Sequence, residues 1–212
     1  MFDCDGTLLE TESRWTIAEQ VLCDRWGVTF SMELKYRLLG THLDRAGEIL
    51  ADWFGMPAGE APTLAVALIT AYREAIDEHG VDPMPGALAL VTALAGRLPL
   101  AVASNTNLAD TRRVLSRSTL PEGVFTAIVC AGGAIVPKPA PDVYLAACHE
   151  LTCDPTRAIA FEDSPVGATA ATAAGMIVIG VPSNRGAALD AHVTVRSLEQ
   201  LDAEQLVDGI IS

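Results

Sequence analysis

Asp3-Cys4-Asp5-Gly6-Thr7 sets two carboxylates one residue apart, directly behind the apolar pair Met1-Phe2. In an extended segment, residues two apart point to the same side. Asp3 is then placed as a nucleophile toward phosphorus, holding it transiently as an aspartyl phosphate. Asp5 can protonate the departing alkoxide and later take a proton from water. Cys4 points the other way and reads as a small buried hydrophobe, not as a thiol nucleophile. Gly6 frees the backbone to turn. Thr7 is expected either to donate a hydrogen bond to phosphate or to open the following helical segment.

The partners such a pair needs stand far downstream. Ser104 would bind a phosphoryl oxygen through its hydroxyl and, with Asn105, through backbone amides. Lys138, stiffened by Pro137 and Pro139, supplies a fixed cation that offsets charge on the phosphoryl group and on Asp3. Asp163 is the expected second metal ligand, with Glu162 beside it as a further ligand or as its support. All these donors are oxygens, which suits Mg²⁺, a cation that keeps several waters and needs few protein ligands. Glu162-Asp163-Ser164-Pro165 also reads as a helix N-cap with proline in the first turn, and both readings can hold. Asp142 is expected to cap its own helix. His149 and His192 read as surface or packing residues.

Asp3, Ser104 and the Glu162-Asp163 pair each fall at the carboxyl end of a short apolar run, where ligands sit in open α/β sheets. Strands are expected over Leu98 to Ala103, Ala127 to Cys130, Arg157 to Phe161, Met176 to Val181 and His192 to Val195. Helices are expected over Leu108 to Ser116, Ala140 to Leu151 and Pro165 to Ala174. That alternation predicts a doubly wound parallel sheet. Trp15 to Glu78 instead shows helical stripes throughout: Ile17, Val21, Leu22, Trp26; Leu43, Ala46, Ile49, Leu50, Trp53; Leu64, Leu68, Ala71, Tyr72, Ile76. The expected fold class is α/β, a doubly wound sheet from residues 1–12 and 82–212, with an all-helical domain inserted at 13–81.

The 212 residues, half of them hydrophobic, can bury a substantial core. A net charge of −13 argues against nucleic acid as a partner. It is compatible with a small phosphorylated metabolite, because a bound cation reverses the field inside a cleft. Five cysteines without Cys-x-x-Cys predict reduced thiols. No apolar run approaches a membrane span and no signal-like segment opens the chain, so a cytoplasmic location is expected.

Taken in order, Asp3-x-Asp5-Gly6-Thr7, Ser104-Asn105, Lys138-Pro139 and Glu162-Asp163 resemble the motifs of the haloacid dehalogenase superfamily. The similarity is to its phosphatase and β-phosphoglucomutase branch, which carries a helical cap after the first motif. The resemblance implies a Rossmann-like core, a Mg²⁺-dependent phosphatase, the Asp5 carbonyl oxygen as an added metal ligand, and a cap that closes to exclude water. It also marks His42 and Arg45, between cap helices, as substrate contacts. A sugar-phosphate mutase is the alternative. Trp15 stands where mutase relatives carry a cap histidine and Leu43 where they carry an arginine, and both departures favour the phosphatase. Dehalogenases of this kind lack an acid at the place of Asp5, and Lys35 is the single cap lysine that could serve phosphonate hydrolysis. A non-catalytic ligand-binding relative is a third reading. The resemblance implies several apolar residues before the first aspartate, where this chain has two. So short a central strand is expected to leave neighbouring backbone groups unpaired, pointing to a start upstream or to a damaged sheet.

Overall fold

The computed structural model describes residues 1–39, 41, 43–183 and 188–209. Its Cα packing divides the chain into two compact units, Thr11–Gly80 and the pair Met1–Glu10 with Val81–Ser212.

Among the described residues the first unit holds four α-helices, α1 (Glu12–Arg25), α2 (Met32–Leu38), α3 (Leu43–Trp53) and α4 (Ala61–His79). Leu64, Leu68, Ala71, Tyr72 and Ile76 form the buried stripe of α4, and Ala46, Ile49 and Leu50 that of α3. In α1 the expected stripe is turned by about one residue. Ala18, Glu19, Leu22 and Cys23 are buried, whereas Val21 is 38% exposed. The cause is polar: Glu19 faces inward to meet Lys35 of α2, whose Nζ lies 3.2 Å from its Oε2. Lys35 also pairs with Glu12.

The second unit is a parallel α/β layer. Its elements in chain order are α5 (Ala87–Leu94), β1 (Ala101–Ser104), α6 (Leu108–Ser116), β2 (Ala127–Cys130), α7 (Asp142–Glu150), β3 (Ile159–Glu162), α8 (Pro165–Ala173), β4 (Ile177–Gly180), β5 (Val193–Thr194) and α9 (Ala203–Val207). β1 pairs with β2, β3 with β4 and β4 with β5, all parallel. β2 keeps its expected span, the other strands begin one to three residues later than the apolar runs suggest, and β1 and β3 each extend one residue further, onto Ser104 and Glu162.

Met1–Asp3 joins the two strand groups. Phe2 bridges in parallel to Val102 on one side and Phe161 on the other. The Phe2 amide donates to Ala101 O and the Ala103 amide to Phe2 O, both at 2.9 Å. On the other side the Phe161 amide donates to Met1 O (2.9 Å) and the Asp3 amide to Phe161 O (3.0 Å). The expected gap in the sheet is therefore absent at these positions: three residues suffice because a parallel ladder alternates its bonds between two neighbours.

Both faces of the sheet are covered, as a parallel sheet requires. On one, Ala101, Ala103, Ala160 and Val178 meet α7 and α8 through Val143, Ala147, Ala168 and Ala171. These small side chains let the helices approach closely. On the other, Phe2 stacks on Phe161 (centroids 4.5 Å apart) and meets the edge of Phe125. Fully burying a ring such as Phe2 stabilises by about 1.5–3 kcal/mol, which ties the strand carrying Asp3 to the core.

Candidate active site

Asp3, Ser104 and Glu162 lie at carboxyl ends of adjacent parallel segments, so one sheet edge collects residues over 150 positions apart. Behind Asp3 the chain folds back at once. The Leu8 and Leu9 amides both donate to Cys4 O, and the Gly6 amide to Leu9 O. Gly6 has φ +83, in the left-handed region, and a Cβ there would stand 2.4 Å from Asp163 Oδ2. Glycine is thus required twice, for the turn and to let two acidic loops touch.

Lys138 is the hub. Its Nζ donates to Asp3 Oδ1 and Glu162 Oε1, each at 2.6 Å, and to Ala103 O at 2.9 Å. Burial alone lowers the affinity of Lys138 for its proton, but the Asp3 and Glu162 charges overcome this and raise its pKa above the ordinary value. The ammonium is therefore permanent at neutral pH. Asn105 holds its backbone: Oδ1 accepts from the Lys138 amide (2.8 Å) and Nδ2 donates to Lys138 O (3.2 Å). The Asn105 side chain is engaged with the lysine loop, which leaves its backbone amide as its means of reaching an anion. Ser104 is buried and its Oγ accepts from the Thr106 amide at 3.0 Å, a geometry that leaves the hydroxyl proton to give.

Glu162 is fully buried. Its Oε1 accepts from Lys138 and from the Tyr144 hydroxyl (2.5 Å), and Ser164 Oγ donates to Oε2 at 3.4 Å. Ser164 also caps α8 by accepting from the Gly167 amide at 3.1 Å, with Pro165 next in line. A Cβ on Gly167 would come within about 2 Å of the Glu162 carboxylate, so this glycine makes the room that the acid occupies. Carboxylate oxygens of Asp3, Glu162 and Asp163 lie within 4.8 Å of one another. Burial first, then the Asp3 charge, raises the pKa of both Glu162 and Asp163 to about 7. Three crowded acids opposed by one lysine leave surplus negative charge, and the hard oxygen donors fit Mg²⁺.

Two expectations, Thr7 as a helix opener and Asp142 as a cap, need correction. Thr7 opens no helix, since the next one starts at Glu12 behind Thr11; its Oγ1 is fully buried and has no hydrogen-bond partner among the described residues. Asp142 is the first residue of α7, not its cap, and its Oδ1 accepts from the Val136 amide at 3.4 Å. Arg45 is exposed on α3 and pairs with Glu48 at 2.6 Å, and His42 lies outside the described residues. Cys4 is buried, and desolvation together with the two aspartates pushes its thiol well above the usual range, which rules it out as a nucleophile. His192 is structural: its Nδ1 accepts from the Val178 amide at 3.0 Å.

Two residues at the site escape a reading of the sequence. Tyr144 looks like one apolar position of α7, and only its phenol oxygen distinguishes it. Thr106, the next residue after the Ser104-Asn105 pair, donates from Oγ1 to Asp5 Oδ2 at 3.0 Å.

Comparison with known proteins sets this arrangement in context. Residues 1–181 match the family model of the haloacid dehalogenase-like hydrolases. The chain is 30% identical over 193 residues to a probable pseudouridine-5'-phosphatase of Drosophila melanogaster, covering 87% of this chain and 81% of that protein. It is 30% identical to validoxylamine A 7'-phosphate phosphatase of Streptomyces hygroscopicus subsp. limoneus, covering 95% and 94%. The crystal structure of CbbY from Rhodobacter sphaeroides in complex with xylulose-(1,5)bisphosphate superposes with a TM-score of 0.74 at 26% identity, covering 94% of each chain.

Proposed function

The chain belongs to the haloacid dehalogenase-like hydrolases and is a phosphoric monoester hydrolase, and from that membership we propose that it hydrolyses a small phosphorylated metabolite through an ester on Asp3, with Mg²⁺ as cofactor. The observation that carries the reading is Lys138 Nζ held at 2.6 Å from both Asp3 and Glu162, beside Asp163. This hub holds one Asp3 oxygen in a fixed place against the lysine.

In the proposed reaction Asp3 attacks phosphorus while Asp5 gives a proton to the leaving alkoxide. Asp5 then draws a proton from the water that cleaves the acyl phosphate. Ser104 Oγ and the backbone amides after β1 bind the phosphoryl oxygens, and Lys138 balances the charge that builds there. Asp3 and Asp163, with the Asp5 carbonyl and Glu162 as further oxygens, would hold Mg²⁺. That ion, when bound, draws charge from the phosphoryl group.

The relatives named as phosphatases of pseudouridine 5'-phosphate and of fructose 1-phosphate favour a small polyhydroxylated substrate. The mutase alternative is weaker, since Trp15, at the place of the mutase histidine, stacks face to face on the buried Tyr72 ring with centroids 3.8 Å apart. A screen of phosphorylated metabolites with Mg²⁺, scored for inorganic phosphate and for glucose phosphate isomerisation, tests the assignment. Phosphate release that Asp3→Asn lowers by at least about 10³-fold, and that chelation abolishes and Mg²⁺ restores, is the expected result. Isomerisation without release would overturn it, as would full turnover in Asp3→Asn.

A further inference from the structure

We propose that Thr106 is a positioning residue that orients the Asp5 carboxylate for proton transfer, a role that rests on the phosphatase reading above and deepens it. Its Oγ1 donates to Asp5 Oδ2 at 3.0 Å, across 101 positions of sequence. What makes it a positioning device is how firmly Thr106 is itself held. Its amide donates to Ser104 Oγ at 3.0 Å, and its carbonyl accepts from Thr111 Oγ1 at 3.3 Å. Thr111 is fully buried on α6 and also receives the Cys130 thiol at 3.3 Å, from the end of β2. The backbone of Thr106 is therefore anchored on both sides, and a β-branched side chain on a fixed backbone has few χ1 choices.

A proton donor must present its oxygen to one point, and a free aspartate sweeps several rotamers. The Thr106 bond takes up Oδ2 and fixes the plane of the carboxyl group, so the proton moves along one set direction. In the first half-reaction the Asp3 oxygen–phosphorus bond forms, the ester oxygen–phosphorus bond breaks, and the Asp5 proton passes to the leaving oxygen. In the second, water oxygen bonds to phosphorus, the Asp3 oxygen is released, and the water proton returns to Asp5. Thr106 exchanges no proton in either. The three residues after Ala103 thus divide the work: Ser104 toward the phosphoryl group, Asn105 toward the Lys138 backbone and Thr106 toward Asp5.

The test compares phenyl phosphate with p-nitrophenyl phosphate, two substrates of similar shape. Departure of phenolate needs protonation, whereas nitrophenolate leaves largely without it. Rapid-quench measurement of Asp3 phosphorylation is made on the wild type, Thr106→Val and Thr106→Ser. Loss of a hydrogen bond to a charged group costs roughly ten-fold or more in rate. Thr106→Val should lose about that factor on phenyl phosphate and less than about three-fold on p-nitrophenyl phosphate, with KM and melting temperature little changed, and Thr106→Ser should restore the rate. Equal losses on both substrates, or no loss on either, would overturn the role of Thr106. A wild type that never labels Asp3 with either substrate would instead overturn the phosphatase reading itself.

Discussion

At the scale of single residues, the site is a charge balance struck around one ammonium. Asp3 and Glu162 each accept a hydrogen bond from Lys138, and the Tyr144 hydroxyl gives Glu162 a further donor at 2.5 Å. Tyr144 is fully buried, and desolvation followed by the Glu162 and Asp3 charges pushes its pKa well up, so it stays a phenol and donates. Tyr144→Phe keeps the ring that packs in the core but strips that donor from a buried carboxylate. The expected loss is about 1–3 kcal/mol, a fall of several degrees in melting temperature, with reduced turnover. Unchanged melting and unchanged turnover would show that the phenol contributes nothing. The charged members of the site were legible in the sequence, because carboxylates and a lysine behind apolar runs have few structural uses. Tyr144 and Thr106 were not, because what they do is set by partners 18 and 101 residues away. Thr7 misled as a helix opener, because the chain first folds back at Leu8 and Leu9 and the helix waits until Glu12.

Secondary-structure elements were legible to within a few residues where periodicity was clean. α6 and β2 coincide with the expected spans, whereas α7 starts at Asp142 because Pro139 and Pro141 prevent earlier helix. In α1 the polar pair Glu19–Lys35 outweighed the apolar pattern, which hydropathy alone does not reveal. The end of α7 shows what local sequence can hide. The Cys153 amide donates to Cys148 O and the Thr152 amide to His149 O, both at 3.0 Å, which is a Schellman closure with Thr152 at the left-handed position. Its φ of +52 is the single positive value of a non-glycine residue among those described. A β-branched side chain is disfavoured there by about 1–2 kcal/mol. Thr152→Gly relieves that strain but adds freedom to the unfolded chain, so a net gain of roughly 0.5–1 kcal/mol is expected. Thr152→Ala should gain less. Chemical denaturation of both variants measures this, and destabilisation by glycine would contradict the strain.

For the molecule as a whole, the −13 charge includes a buried local surplus where three acids face one lysine. Glu162 and Asp163 are raised to about 7 by burial and by Asp3, against an ordinary carboxylate value near about 4. Below that lower value both folded and unfolded chains carry the protons. Between about 4 and 7 the folded protein keeps protons that the unfolded chain has shed. Stability from this source is therefore complete at acid pH and is lost as pH rises through 7. The Mg²⁺ proposed above would reverse the trend, because it would bind the ionised carboxylates and have to expel those protons when the pH is low. Each unit below 7 weakens binding by about 1.4 kcal/mol per proton displaced. Saturating Mg²⁺ should accordingly raise the melting temperature more at pH 8 than at pH 6. In Asp163→Asn one of the two titrating acids is gone, so both the shift and its pH dependence should shrink. Calorimetric titration at the two pH values, in buffers of different ionisation heat, would show proton release at pH 6 and little at pH 8. Equal melting shifts at both pH values, with no proton released at either, would mean that these acids are already ionised in the folded protein and that the cation meets no competition for them.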